Sequence, residues 1–293
     1  MLTEAEDVES ASPDRELAPP TPPPPAAASG VLVAFATLLC VLTYLEDALR
    51  CITLWEDQLS FVARHAGIPR TMASGALIVI ATLQVLSTSL VLPPAAFPAL
   101  AQPAMAVSVA VASSVLLQPF LFNQLSNTEL LSLSAAQLGA LGLIFGEAHA
   151  VAYPQAQPFA AFVTRAVPKE PAEIVQYVRF FSRILLTVDL IWVFGMRLVS
   201  PDTDIFPANL LHLFPLLGGL MVWLGFKTTV CAVAVAVAAF ADAIHRYPFW
   251  SGGSNADFWR FHFFQALTPV GGMLLLAALG PGRFSIDAKA KRT

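Results

Sequence analysis

Long apolar blocks, nearly empty of charge, follow one another along most of this chain, and they restrict it more than any other feature. Eight can be counted, over residues 30–49, 72–92, 99–122, 130–153, 178–199, 206–226, 228–244 and 263–279. Each approaches the roughly 20 apolar residues with which an α-helix crosses the hydrocarbon core of a bilayer. That core offers no water to backbone N–H and C=O groups, so only helices and closed barrels can span it. Barrel strands alternate apolar and polar residues, whereas TTVCAVAVAVAAF and GGMLLLAALG do not. Charged residues make up 12% of the chain, about half the ~25% of soluble domains and too little to coat a soluble protein of this size. The expected fold is all-α, a polytopic membrane bundle of about eight transmembrane helices.

The segments outside the blocks set the expected organisation. Residues 1–29 are acidic, then proline-rich, and lack apolar periodicity; this composition predicts a disordered tail. The tail has no basic start followed by an early apolar core, so it does not read as a signal peptide. Residues 30–280 form the bundle and 281–293 a second tail. Eight spans place both termini on one side of the membrane. With that side cytosolic, cytosolic segments hold eight Lys and Arg residues against six on the opposite side. The positive-inside rule then favours cytosolic termini.

Ionisable residues within spans cost about 2.5–3.5 kcal/mol each on insertion scales, so each invites a functional reading. One cluster lies at the expected lumenal ends of spans. Glu46, Asp47 and Arg50 share a helical face in TYLEDALR. Asp242, His245 and Arg246 end the seventh block, and Arg260, His262 and Gln265 open the eighth. The cluster reads either as salt bridges locking helix ends or as a lumenal pocket in which two acids face one arginine. The spare carboxylate beside apolar walls would then capture a peptide's N-terminal amine. The candidate cargo-binding residues are Glu46, Asp47, Arg50, Asp242, His245 and His262. A second cluster holds Glu147, His149, Arg179 and Arg183, with Glu147 and Arg183 expected to form a structural pair. Asp189 reads as an ion or proton relay or as the partner of a neighbour. Gln84, Gln118, Gln137 and His212 are expected to bond between helices, and the small residues of LGALGLIFG, LLGGLMV and VGGMLLL to permit close helix packing.

Several classes are disfavoured. Cys40, Cys51 and Cys231 belong to no CxxC or Cys/His group of zinc spacing, so neither a disulfide framework nor a metal site is indicated. No haem, quinone, flavin or nucleotide motif is found, so no cofactor and no enzymatic activity is expected. The net charge of −4, with no basic stripe, disfavours nucleic acid as a partner.

The chain ends in KAKRT, with Lys289 fifth and Lys291 third from the end. This has the form of a KxKxx retrieval signal, a receptor-read address rather than an anchor. Together with TYLEDALR (43–50), GFKTT (225–229), YPFW (247–250), the run from FWRFHFFQALTP to the G-P-G turn and the tail (258–291), and the positions of Glu147 and Arg183, it resembles the surfeit locus protein four family of cargo receptors. His262 departs from the aspartate common in that family, and the proline-rich tail is longer than usual. The resemblance implies a receptor that binds soluble secretory proteins through short apolar motifs near their N-termini. It would reside in the endoplasmic reticulum membrane, cycle through early Golgi compartments, and meet vesicle coats at its cytosolic tails. The alternative is a membrane transporter or lipid scramblase, with Asp189, Glu147 and Arg183 lining a polar path among membrane lipids.

Overall fold

The computed structural model describes residues 30–153, 171–199, 206–253 and 255–290. The tail 1–29, most of the polar connection after residue 153, and Lys291 lie outside the described residues. Among the described residues ten α-helices follow in order: α1 (Gly30–Thr53), α2 (Trp55–Ala66), α3 (Arg70–Leu86), α4 (Ala101–Leu121), α5 (Thr128–Ala152), α6 (Pro171–Val199), α7 (Phe206–Leu224), α8 (Thr228–Arg246), α9 (Ala256–Leu279) and α10 (Ile286–Ala290). Among the described residues there is no strand.

Each of the eight apolar blocks coincides with a helix, α1 and α3 to α9. By length and composition, six helical stretches among the described residues can cross a membrane: Gly30–Thr53, Arg70–Val91, Pro98–Leu121, Thr128–Ala152, Thr228–Ser251 and Ala256–Leu279. The other two blocks differ for visible reasons. Arg179, Arg183, Asp189 and Arg197 are spread along α6, and the described apolar part of α7 is His212–Leu224. Helix α2 was not expected. It is 12 residues long and carries Glu56, Asp57, Arg64 and His65, which break the apolar run.

Local chemistry sets the helix ends. Asn127 Oδ1 accepts the Leu130 N–H at 3.1 Å and caps α5. Gly67, at φ 65°, ends α2 in the left-handed conformation that glycine adopts without penalty. The first N–H groups of α8 have no cap in their own sequence. The Thr228 N–H and the Lys227 N–H just before it donate instead to the Asp287 carboxylate, 59 residues beyond Thr228.

Neighbouring helices close a ring in the order α1, α3, α4, α5, α6, α7, α8, α9 and back to α1. Helices α5 and α9 also meet across it. They divide the bundle into two lobes, one enclosed with α1, α3 and α4 and the other with α6, α7 and α8. Helices α1 and α9 run antiparallel, since Asp47 meets Gln265 while Cys40 meets Thr268. Gly30 and Leu279 therefore lie at the same end of the bundle.

The glycine-rich segments mark the closest crossings. A Cβ on Gly271 would lie 2.5 Å from the Ala36 carbonyl and 2.9 Å from the Cys40 nitrogen of α1. One on Gly139 would lie 2.8 Å from the Ser182 carbonyl of α6. Backbones this close leave no room for a methyl group, which is how small residues hold membrane helices together. Gly271→Ala is therefore expected to lower stability by about 1–3 kcal/mol through overpacking. Gly75 has nothing within 4 Å of its Cβ position, so Gly75→Ala should be neutral or stabilise by up to about 1 kcal/mol. Unfolding of the two variants in detergent, monitored by circular dichroism, compares them directly.

Candidate functional site

A cavity of about 410 Å³ occupies the first lobe at the end where α1 finishes and α9 begins. Its walls come from α1, α3, α4, α5 and α9, and Gln58 and Phe61 of α2 contribute a further side. The Phe61 and Phe122 rings, 5.9 Å apart, join α2 to the segment after α4.

Asp47 is the carboxylate on this wall. Its Oδ1 accepts the Gln265 amide at 3.1 Å and its Oδ2 the Gln84 amide at 3.3 Å. Gln265 Oε1 in turn accepts the Gln137 amide at 2.9 Å, so one chain of hydrogen bonds crosses α3, α1, α9 and α5. Among the described residues no cation lies within ion-pair distance of Asp47. Gln84 is 1% exposed, and its Oε1, on a residue of the same wall, is buried with no hydrogen-bond partner. Asp47 and Gln84 thus present acceptors, and the group that suits them is a donor or a cation. Apolar surface from Ile80, Phe122, Leu133 and Phe261 completes the lining.

The other expected site residues separate. Glu46, 6% exposed, accepts the Arg260 guanidinium at 2.8 Å, so it is the partnered acid of the pair. Arg50 bonds neither acid; its guanidinium lies 4.5 Å over the Phe261 ring centroid, a cation–π contact on the cavity wall. His262 also reaches this wall, stacked on Tyr247 at 5.5 Å. Asp242 does not: it pairs with Arg197 of α6 and with Arg246 at 3.0 Å. It lines a smaller cavity of about 80 Å³ in the second lobe. His245 is exposed and lines neither cavity.

The expected Glu147–Arg183 pair is not formed. Arg183, 1% exposed, donates to the carbonyls of Pro281 at 3.0 Å and Phe284 at 2.7 Å. The residues after α9 fold back far enough to reach it, and carbonyl oxygens take the place of the acid. Arg179 is the cation acting on Glu147. Asp189 accepts the Ser132 hydroxyl at 2.9 Å and lines the smaller cavity. Gln84 and Gln137 bond between helices as expected, and Gln118 lines the larger cavity. Reading the sequence missed Arg260 and Arg197 as the partners of Glu46 and Asp242, and it missed the contribution of α2. The only trace of α2 was aromatic and amide residues, Trp55, Gln58 and Phe61, at helical spacing between charges.

Comparison with known proteins gives a consistent picture. The family model described as the SURF4 family matches residues 26–293. A Schizosaccharomyces pombe protein named surfeit locus protein 4 homolog is 29% identical, with 86% of this chain and 80% of the relative covered. A Drosophila melanogaster protein of the same name is 27% identical over 89% of this chain and 91% of its own length. An uncharacterised Caenorhabditis elegans protein is 41% identical over 73 residues. No solved structure matches the chain.

The geometry distinguishes the two acids by stability. Arg260→Met strands a buried carboxylate and is expected to cost about 2 kcal/mol, reduced from the value for a fully buried pair because Arg260 is partly exposed. Adding Glu46→Gln should restore most of that loss. Asp47→Asn breaks no ion pair and should change stability by less than about 1 kcal/mol. Denaturant unfolding of the three variants in detergent measures the differences.

Proposed function

The chain belongs to the SURF4 family, and from that premise and the chemistry of the larger cavity we propose that it is a cargo receptor of the endoplasmic reticulum membrane. It binds soluble secretory proteins in the lumen for packaging into vesicles bound for the Golgi, and returns through the Lys289/Lys291 signal. On this reading the end of the bundle holding the cavity faces the lumen. The end holding Gly30 and α10 faces the cytosol, where vesicle coats meet the tails. The protein acts as a receptor rather than an enzyme, with membrane lipids around its apolar outer surface and no role for nucleic acid.

The observation that carries the proposal is Asp47, a carboxylate on a cavity wall held by two glutamine amides, with the Arg50 charge nearby but, among the described residues, no cation at ion-pair distance. A peptide's N-terminal ammonium brings a direct ionic partner and three N–H donors to Asp47, beside the unpartnered, buried Gln84 Oε1. The apolar side chains that follow in the cargo would lie against Ile80, Phe61, Phe122 and Phe261. Glu46 and Asp47 were equal candidates for the ammonium by sequence; the Arg260 bond to Glu46 favours Asp47. The transporter or scramblase reading has less support. Asp189 lines the smaller cavity, but neither Glu147 nor Arg183 lines either of the two cavities.

Peptides with apolar first residues, prepared with free and with acetylated N-termini, test the amine seat on protein reconstituted in nanodiscs. The free amine should bind at least 10-fold more tightly, a difference of about 1.4 kcal/mol. Asp47→Asn should erase that preference, and Glu46→Gln combined with Arg260→Met should keep it. Equal binding of the two peptides by the unaltered protein would sink the proposal.

A further inference from the structure

The segment after α9 is fastened to the bundle at several points. Arg183 holds the carbonyls of Pro281 and Phe284. Gln176 Oε1 accepts the Arg283 N–H at 2.7 Å, and the Phe284 ring packs 5.0 Å from that of Tyr177. Asp287 accepts from Lys227 N at 2.7 Å, Thr228 N at 2.8 Å and Thr228 Oγ1 at 3.0 Å. Its own N–H donates to the Gly225 carbonyl at 3.0 Å. Gly225, at φ 76°, is needed here: a Cβ would lie 2.6 Å from that of Ser285 and 2.8 Å from Arg183 Nη1. The GFKTT turn and the buried arginine of α6 are thus two halves of one clamp.

The clamp bears on Lys289. Asp287, the last anchor, stands two residues before it, so the lysine backbone is held within about 7 Å of the bundle; released from Gly280 onward, the same chain reaches about 30 Å. The docked segment is also helical. Ser285 Oγ accepts the Ala288 N–H at 3.1 Å, and the Lys289 N–H donates to the Ser285 carbonyl at 3.3 Å. Lys289 is thus held in a single helical turn close to the bundle, two residues past the last anchor.

We propose that residues 281–287 are a strap that governs how far the Lys289/Lys291 signal reaches from the bundle, with Arg183 and Asp287 as its positioning residues, and that a coat engages the signal only after Asp287 leaves the start of α8. This rests on the retrieval reading given above. Docked, Lys289 stands close to the bundle; undocked, it reaches several times farther. The partner is a protein with an acidic pocket for lysine side chains.

The test uses the full-length protein in nanodiscs, with Asp287→Asn and, as a second variant that leaves the cap of α8 intact, Gln176→Ala. Tryptic cleavage after Arg283 and Lys289 should speed up several-fold in both, with the unfolding temperature of the bundle retained. Binding to the purified retrograde coat complex should tighten at least 5-fold, and the gain should vanish when Lys289→Ser and Lys291→Ser are added. Loss of folding alone would not produce a lysine-dependent gain. Unchanged cleavage in both variants overturns the strap. Faster cleavage with unchanged, lysine-dependent coat binding overturns the gating while leaving the retrieval reading in place. If the unaltered protein and both variants show no lysine-dependent coat binding, the retrieval reading fails and the gating with it.

Discussion

The hydrogen-bonded chain from Gln84 through Asp47 and Gln265 to Gln137 fixes the relation of four helices that are distant in sequence. Polar side chains in a bilayer find partners in neighbouring helices or go without. A one-residue slip of α9 against α1 would rotate Gln265 by about 100° and part it from Asp47. The same slip would carry Gly271 away from Ala36, where only hydrogen fits. Polar pairing and steric fit therefore select the same register, and the partition between the two lobes follows from it.

Against this frame the charges divide by purpose. Arg260 serves Glu46, Arg197 and Arg246 serve Asp242, and Arg183 serves the backbone after α9. These contacts tie helix ends and tail to the bundle. Asp47 lies one residue from Glu46, yet helical geometry turns it by about 100° onto the cavity wall, where it meets amides instead of guanidinium. Adjacent residues of one motif thus divide into an ion-paired acid and an acid on a cavity wall.

Most of the helices were legible from sequence because membrane spans must be long and apolar, and eight runs of that kind stand out from their surroundings. Helix α2 was not, since twelve residues with charges at both ends look like any loop. The polar clusters were legible as clusters, because i, i+3 and i+4 spacing places side chains on one face. Their partners were not. Arg260 lies 214 residues from Glu46, and local spacing carries no record of which distant helix will be adjacent. The Glu147–Arg183 expectation failed for a related reason: an arginine can be satisfied by backbone carbonyls, and the sequence does not show that a tail will return to supply them.

The partition between the lobes has a thermodynamic implication. Glu129, Leu133, His262 and Gln265 line both cavities, so the two chambers share one wall. Any occupant of the larger chamber that shifts those side chains alters the volume and polarity of the smaller. Linkage is reciprocal: the factor by which filling one changes affinity in the other is the same in both directions. An occupant beside Asp189 that left the four shared side chains in place would, by the same rule, leave affinity beside Asp47 unchanged.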